Sequence, residues 1–116
     1  IFVSKLNPTG TNLIFSTFVG GNYTDRGTAL KVDTVGCIYF TGYNYIGNYP
    51  VTPGAYQLNN SSVYDPNQSP NSSEIIITKL NATGSGLLYS TYLGGSYDEY
   101  SYDIDVDQFD SFIVFA

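Results

Sequence analysis

Leu13-Ile14-Phe15-Ser16-Thr17-Phe18-Val19-Gly20-Gly21 returns later in the chain as Leu87-Leu88-Tyr89-Ser90-Thr91-Tyr92-Leu93-Gly94-Gly95, 74 positions on. Outward from this stretch the same offset holds. Lys5-Leu6-Asn7-Pro8-Thr9-Gly10 becomes Lys79-Leu80-Asn81-Ala82-Thr83-Gly84, and Val32-Asp33 becomes Val106-Asp107. No gap is needed, so the chain is a tandem repeat. The stretch is also apolar on both alternating faces, as are Ile75-Ile76-Ile77 and Phe112-Ile113-Val114-Phe115. A strand with one wet face alternates cleanly between apolar and polar. These strands are therefore expected to be covered on both sides, as small antiparallel sheets are when stacked face to face.

The period exceeds the usual repeat length of roughly 20–50 residues because Leu58 to Ser73 is a polar insert of Asn, Ser, Pro and Gln. Such composition reads as a solvated loop. The organisation expected is a first repeat over 1–57, the loop over 58–73, and a second, partial repeat over 74–116, about one and a half units in all. Within the first repeat, strands are expected at Phe2 to Leu6, Leu13 to Val19, Thr28 to Asp33 and Ile38 to Gly42. Asn7-Pro8-Thr9-Gly10 has the chemistry of a type I turn. Thr34-Val35-Gly36-Cys37 connects a hairpin. Pro50-Val51-Thr52-Pro53-Gly54-Ala55-Tyr56 is a Pro-stiffened connection to the next unit.

Composition agrees with an all-β fold. The 116 residues include no His, Met or Trp, two Glu, three Lys, one Arg and four Ala. Tyr, Phe, Val, Ile and Thr dominate, with Gly, Asn and Ser between them, which is the vocabulary of strands and turns. The net charge of −6 disfavours nucleic acid and anionic membrane surfaces, since both need a cationic face. No apolar run approaches the roughly 20 residues of a membrane-spanning helix. Cys37 has no partner for a disulfide within the chain and is expected as a buried, apolar-like thiol. The chain opens on Ile1-Phe2-Val3 with neither Met nor signal peptide and reads as a mature or cut segment.

Residues Val3 to Tyr43, VSKLNPTGTNLIFSTFVGGNYTDRGTALKVDTVGCIYFTGY, followed by PVTPGAYQ, resemble the bacterial and archaeal β-propeller repeats called SBBP repeats. The pattern runs through a K-L-N-x-x-G turn, an S-T-x-x-G-G segment, an A-x-x-V-D hairpin, a Y-x-T-G strand and a P-x-T-P-G-A-x-Q tail. The second repeat follows it through Gly95 and then departs, with Glu99-Tyr100-Ser101 for Asp25-Arg26-Gly27 and Phe115-Ala116 for Thr41-Gly42. The resemblance implies propeller-like blades on a secreted or cell-surface protein.

Three groups of residues are candidate sites. Asp103, Asp105 and Asp107 form an acidic row whose alternation puts three carboxylates on one strand face; with Asp110 three residues later they are a candidate set of oxygen ligands for Ca²⁺. The competing reading is a solvated face in which Asp107 starts a turn, as Asp33 does. Asn22, Asn59, Asn60, Asn71 and Asn81 lie in N-x-[ST] sequons and are candidate glycosylation sites. Tyr43, Tyr45, Tyr49, Tyr97, Tyr100 and Tyr102 are candidate loop aromatics for binding a carbohydrate or another ligand. Catalysis has little to draw on: no His serves a Ser or Cys nucleophile, and Cys37 alone builds no Zn site. The function expected is a non-catalytic structural or interaction module of an extracellular or cell-surface repeat protein, assembling with further copies or neighbouring subunits into an array or filament. A carbohydrate- or ligand-binding propeller is the alternative. Further β-sheet is expected to flank both terminal strands.

Overall fold

A computed structural model describes residues 1–45, 47–62, 72–109 and 111–116, with the side chain of Phe112 excepted. The chain is all-β, and the described residues contain no helix. Its strands are β1 (Phe2–Leu6), β2 (Leu13–Phe18), β3 (Asp25–Val32), β4 (Ile38–Tyr45), β5 (Ser73–Leu80), β6 (Leu87–Leu93), β7 (Asp103–Val106) and β8 (Phe112–Phe115). They make three antiparallel sheets: a β1-β2 hairpin, a four-stranded sheet in the order β3-β4-β5-β6, and a β7-β8 hairpin.

The four-stranded sheet is the middle layer, and each hairpin covers part of one of its faces. On one face Val3 packs with Ile38, Phe40, Ile76, Leu80 and Tyr92, and Phe15 joins them. On the other, Ile104, Val106 and Val114 pack with Tyr39, Ile75 and Ile77. Both faces of β4 and β5 are thus dry, which is why Ile38-Tyr39-Phe40 and Ile75-Ile76-Ile77 carry no polar alternation. Cys37 is partly buried beside the second cluster.

The repeat is reproduced down to register. Phe2↔Phe18 and Lys5↔Phe15 in the first hairpin correspond to Ile76↔Tyr92 and Lys79↔Tyr89 in the middle sheet, with the same irregularity one residue later. Leu30↔Phe40 corresponds to Ile104↔Val114. The turns repeat as well. Gly10 donates to Asn7 O at 2.9 Å and Gly84 to Asn81 O at 3.0 Å, and both glycines sit at φ 70°, where a Cβ would be strained. The Asn7 and Asn81 side chains cap their turns by accepting from Thr11 N–H and Ser85 N–H, each at 2.9 Å.

Two expectations need correcting. β5 begins at Ser73, inside the stretch expected as loop, and the four-stranded sheet joins β3-β4 of the first repeat to β5-β6 beyond that loop. The sequence period therefore fixes the repeat length and leaves the phase of the sheets open. Second, β3 and β4 are longer than expected, running from Asp25 and on to Tyr45. The extension is held by Asn44, whose Nδ2 donates to Asp25 Oδ1 at 2.6 Å, and by the Asp25 carboxylate accepting Gly21 N–H at 2.7 Å.

The segment from Thr52 to Gln57 runs along the outer edge of β6. Thr52 N–H donates to Ser90 O at 3.0 Å, Tyr92 N–H to Gln57 O at 3.1 Å, and Gly94 N–H to the Gln57 side-chain carbonyl at 3.1 Å. The stiff tail thus satisfies the edge that β6 would otherwise expose.

Candidate functional site: open strand edges and their apolar faces

The feature that distinguishes the outer hairpins is what they lack. In the middle sheet β4 pairs with β5. Their repeat equivalents are β8 and β1, and among the described residues each of these pairs only with its own hairpin partner. The side chains on these strands record the difference. Phe2 is 68% exposed where its equivalent Ile76 is 0%, and Phe18 is 86% exposed where Tyr92 is 2%. Ile113 is 65% exposed where Tyr39 is 0%. Beside the β1 edge runs a groove lined by Ile1, Val3, Ala29, Leu30 and Phe40, continued by one that Val32 and Ile38 help to line. Exposed apolar side chains next to unpaired backbone groups are templates for another β-strand.

Two members of the acidic row, Asp103 and Asp105, lie on β7, and Asp107 follows the strand's end. Asp103 and Asp105 point outward from β7 while Ile104 between them is buried. Each carboxylate is engaged by the chain itself. Asp103 accepts Ile104 N–H at 2.8 Å, and Asp105 accepts Val106 N–H at 3.0 Å and lies 3.8 Å from Lys31 Nζ. Asp107 accepts the N–H groups of Phe109 and Ser111 at 2.8 and 2.9 Å. Asp33 does the same for Val35 and Cys37 at 3.0 and 2.8 Å. Partial desolvation raises the Asp33 pKa, but those two N–H groups, the Tyr39 hydroxyl and Lys79 together outweigh it and hold the carboxyl below its ordinary value. No cluster of three or more metal-ligating side chains occurs among the described residues; Asp110 lies outside them.

The sequon asparagines separate by environment. Asn22 and Asn59 are exposed. The Asn60 amide donates to Asn44 Oδ1 at 3.2 Å and accepts from Ser62 N–H at 2.9 Å. Asn81 is tied into its turn, donating to Ser85 Oγ at 3.1 Å. Asn71 lies outside the described residues.

The tyrosines divide in the same way. Tyr43 meets Tyr45 and Tyr100 edge to face, with ring centroids 5.5 and 4.9 Å apart. Burial first, then the neighbouring Tyr100 and Tyr43, push the Tyr45 hydroxyl pKa up. Tyr97 and Tyr102 are exposed, and Tyr102 tilts against Phe115 at 6.1 Å. Tyr49, grouped by sequence with the loop tyrosines, is a core residue instead. It is buried in the first cluster, and its hydroxyl is 2.8 Å from Thr78 Oγ1. Its aromatic neighbour is Tyr92, because Pro50 and the tail behind it draw the chain onto the sheet.

Sequence reading missed the Glu74 site. This carboxylate is completely enclosed at the start of β5. It accepts from Gln57 Nε2, from Ser61 N–H at 2.5 Å and from Ser61 Oγ at 3.3 Å. Burial pushes its pKa up, the hydrogen bonds opposing. Glu99 lies close by across Gly94, and its Oε2 is buried with no hydrogen-bond partner among the described residues. Ser72 and Ser73, the end of the polar loop in the sequence reading, are buried too. The available signal was Gln57 at the end of the tail motif, a polar residue with no evident reason to be fixed.

Comparison with protein-family models and with curated proteins finds no match.

Proposed function

We propose that this chain is a non-catalytic structural and interaction module of an extracellular or cell-surface repeat protein, built as an array of stacked four-stranded sheets. The observation that carries the reading is the middle sheet, which forms only because the back half of one repeat pairs with the front half of the next. A unit of this kind buries its surfaces through its neighbours, so stability accrues with unit number. The SBBP-like motifs support a propeller-type arrangement and an extracellular setting.

The test appends residues 43–116 after Ala116, which continues the repeat at its natural spacing. The longer chain is expected to melt at a higher temperature and in one cooperative transition. An unchanged melting temperature, or two separate transitions, would count against the array.

A second reading, a carbohydrate- or ligand-binding surface, draws on the edge-to-face cluster of Tyr43, Tyr45 and Tyr100. Titration with oligosaccharides, followed by tyrosine emission in a protein without Trp, tests it. A Tyr100→Ala variant is expected to abolish any response.

A further inference from the structure

We propose that the open edge of β8 is a docking strand for the open edge of β1 on a second copy of this chain, in a register that the middle sheet already displays. The inference rests on the array reading and names its contact. In the middle sheet Ile38↔Leu80, Tyr39↔Lys79, Phe40↔Thr78 and Thr41↔Ile77 are paired. Carried over by repeat equivalence, these become Phe112↔Leu6, Ile113↔Lys5, Val114↔Ser4 and Phe115↔Val3 between copies. The product is a four-stranded sheet, β7-β8 from one copy and β1-β2 from the next.

Three observations converge on a second copy as the occupant. The first is shape. Tyr39 in the middle sheet is buried with Ile104 and Val106 of β7. The equivalents of those two, Leu30 and Val32, are half exposed on β3. They line the grooves beside β1. A docked β8 lays Ile113, the equivalent of Tyr39, on that surface.

The second is burial. Phe2, Leu6, Phe18, Ile113 and Phe115 are bare, whereas their equivalents in the middle sheet, Ile76, Leu80, Tyr92, Tyr39 and Thr41, are nearly inaccessible. The pairing accounts for the exposure of these five side chains at once; Ile14 is outside it, since its equivalent Leu88 is also exposed.

The third is charge. Lys31 on β3 pairs with Asp105 on β7 within the chain. Since Asp105 is the repeat equivalent of Lys31, stacking a second copy in the same way brings Asp105 of one next to Lys31 of the other. Opposite charges then alternate from sheet to sheet. A contact of this head-to-tail kind propagates into a ring or an open filament according to the rotation per copy.

The experiment uses the 116-residue chain and follows self-association by sedimentation equilibrium across a wide concentration range. The substitutions fall on exposed positions, and far-UV circular dichroism and thermal unfolding check that each variant folds. Ile113→Lys sets a like charge against Lys5 and removes apolar contact, so association is expected to weaken at least tenfold. Adding Lys5→Glu to that variant is expected to recover several-fold, about what a cross-strand charge pair supplies. Ile113→Tyr is expected to strengthen association, because Lys79 Nζ sits 4.6 Å over the Tyr39 ring in the equivalent pair.

A chain that stays monomeric at every concentration overturns the proposal. Association untouched by Ile113→Lys, or unrecovered by the charge swap, overturns it as well. The array reading is decided separately by whether the covalently appended unit raises the melting temperature.

Discussion

At the scale of single residues, the enclosed polar groups govern how stability responds to pH. Burial raises the Glu74 pKa above its ordinary value of 4.5. Its stabilising contribution is therefore complete below that value and lost as pH rises through the folded one. Asp33 behaves oppositely: its folded pKa lies below the ordinary 3.8, so its contribution holds above that value and is lost as pH falls through the folded one. Stability is expected to rise on mild acidification from neutral pH and to fall again at strongly acid pH, as urea midpoints against pH will show. Glu74→Gln is expected to flatten the rise. Glu99→Gln changes a side chain whose buried oxygen has no hydrogen-bond partner among the described residues and is expected to stabilise by about 1 kcal/mol. Tyr49→Phe leaves the buried Thr78 hydroxyl with one partner fewer, and a loss of about 1 kcal/mol in denaturant unfolding is expected.

At the scale of elements, the strands carry different tolerances. A Cβ on Gly42 would lie 1.9 Å from Arg26 O, where β3 bulges between Gly27 and Ala29. Backbone has nowhere to move without breaking β3-β4, so Gly42→Ala is expected to destabilise by about 3 kcal/mol. Gly54 has nothing within 4 Å and only a φ of +78° to account for, so Gly54→Ala is expected to lose about 1–2 kcal/mol. Chemical denaturation of the two variants side by side checks the contrast.

The strands themselves were largely legible. Two-sided apolar runs such as Ile75-Ile76-Ile77 have no explanation other than a doubly covered sheet, and the open edges at Phe2–Leu6 and Phe112–Phe115 follow from the same pattern. The phase of the sheet was not legible, because a tandem repeat reads identically from any starting point. Only the β4-β5 contact breaks that degeneracy. The burial of Tyr49 and Glu74 was hidden for a related reason. Both depend on where the tail lies against β6, a long-range contact that local composition does not encode.

At the scale of the whole molecule, the layers are unequally protected. The middle sheet is covered on both faces, whereas the β7-β8 hairpin leaves its outer face bare and pairs with no third strand among the described residues. Local opening is therefore expected to be easiest there. Hydrogen exchange should show β5 amides such as Ile76 and Thr78 as the slowest and those of β7 and β8 orders of magnitude faster. Equal protection across the three sheets would contradict this layering.

The straddling sheet also bears on how such a gene can change length. The one four-stranded sheet is knit from two successive repeats, so in the array proposed above a recombination event that removed or added one whole 74-residue period would leave each surviving sheet with the same four kinds of strand. The crossover can fall in a turn, in the polar loop or within a strand, and the outcome is the same. In such an array, lengthening or shortening by unequal exchange would call for no new contacts, while a change by a fraction of a period would strand half a sheet.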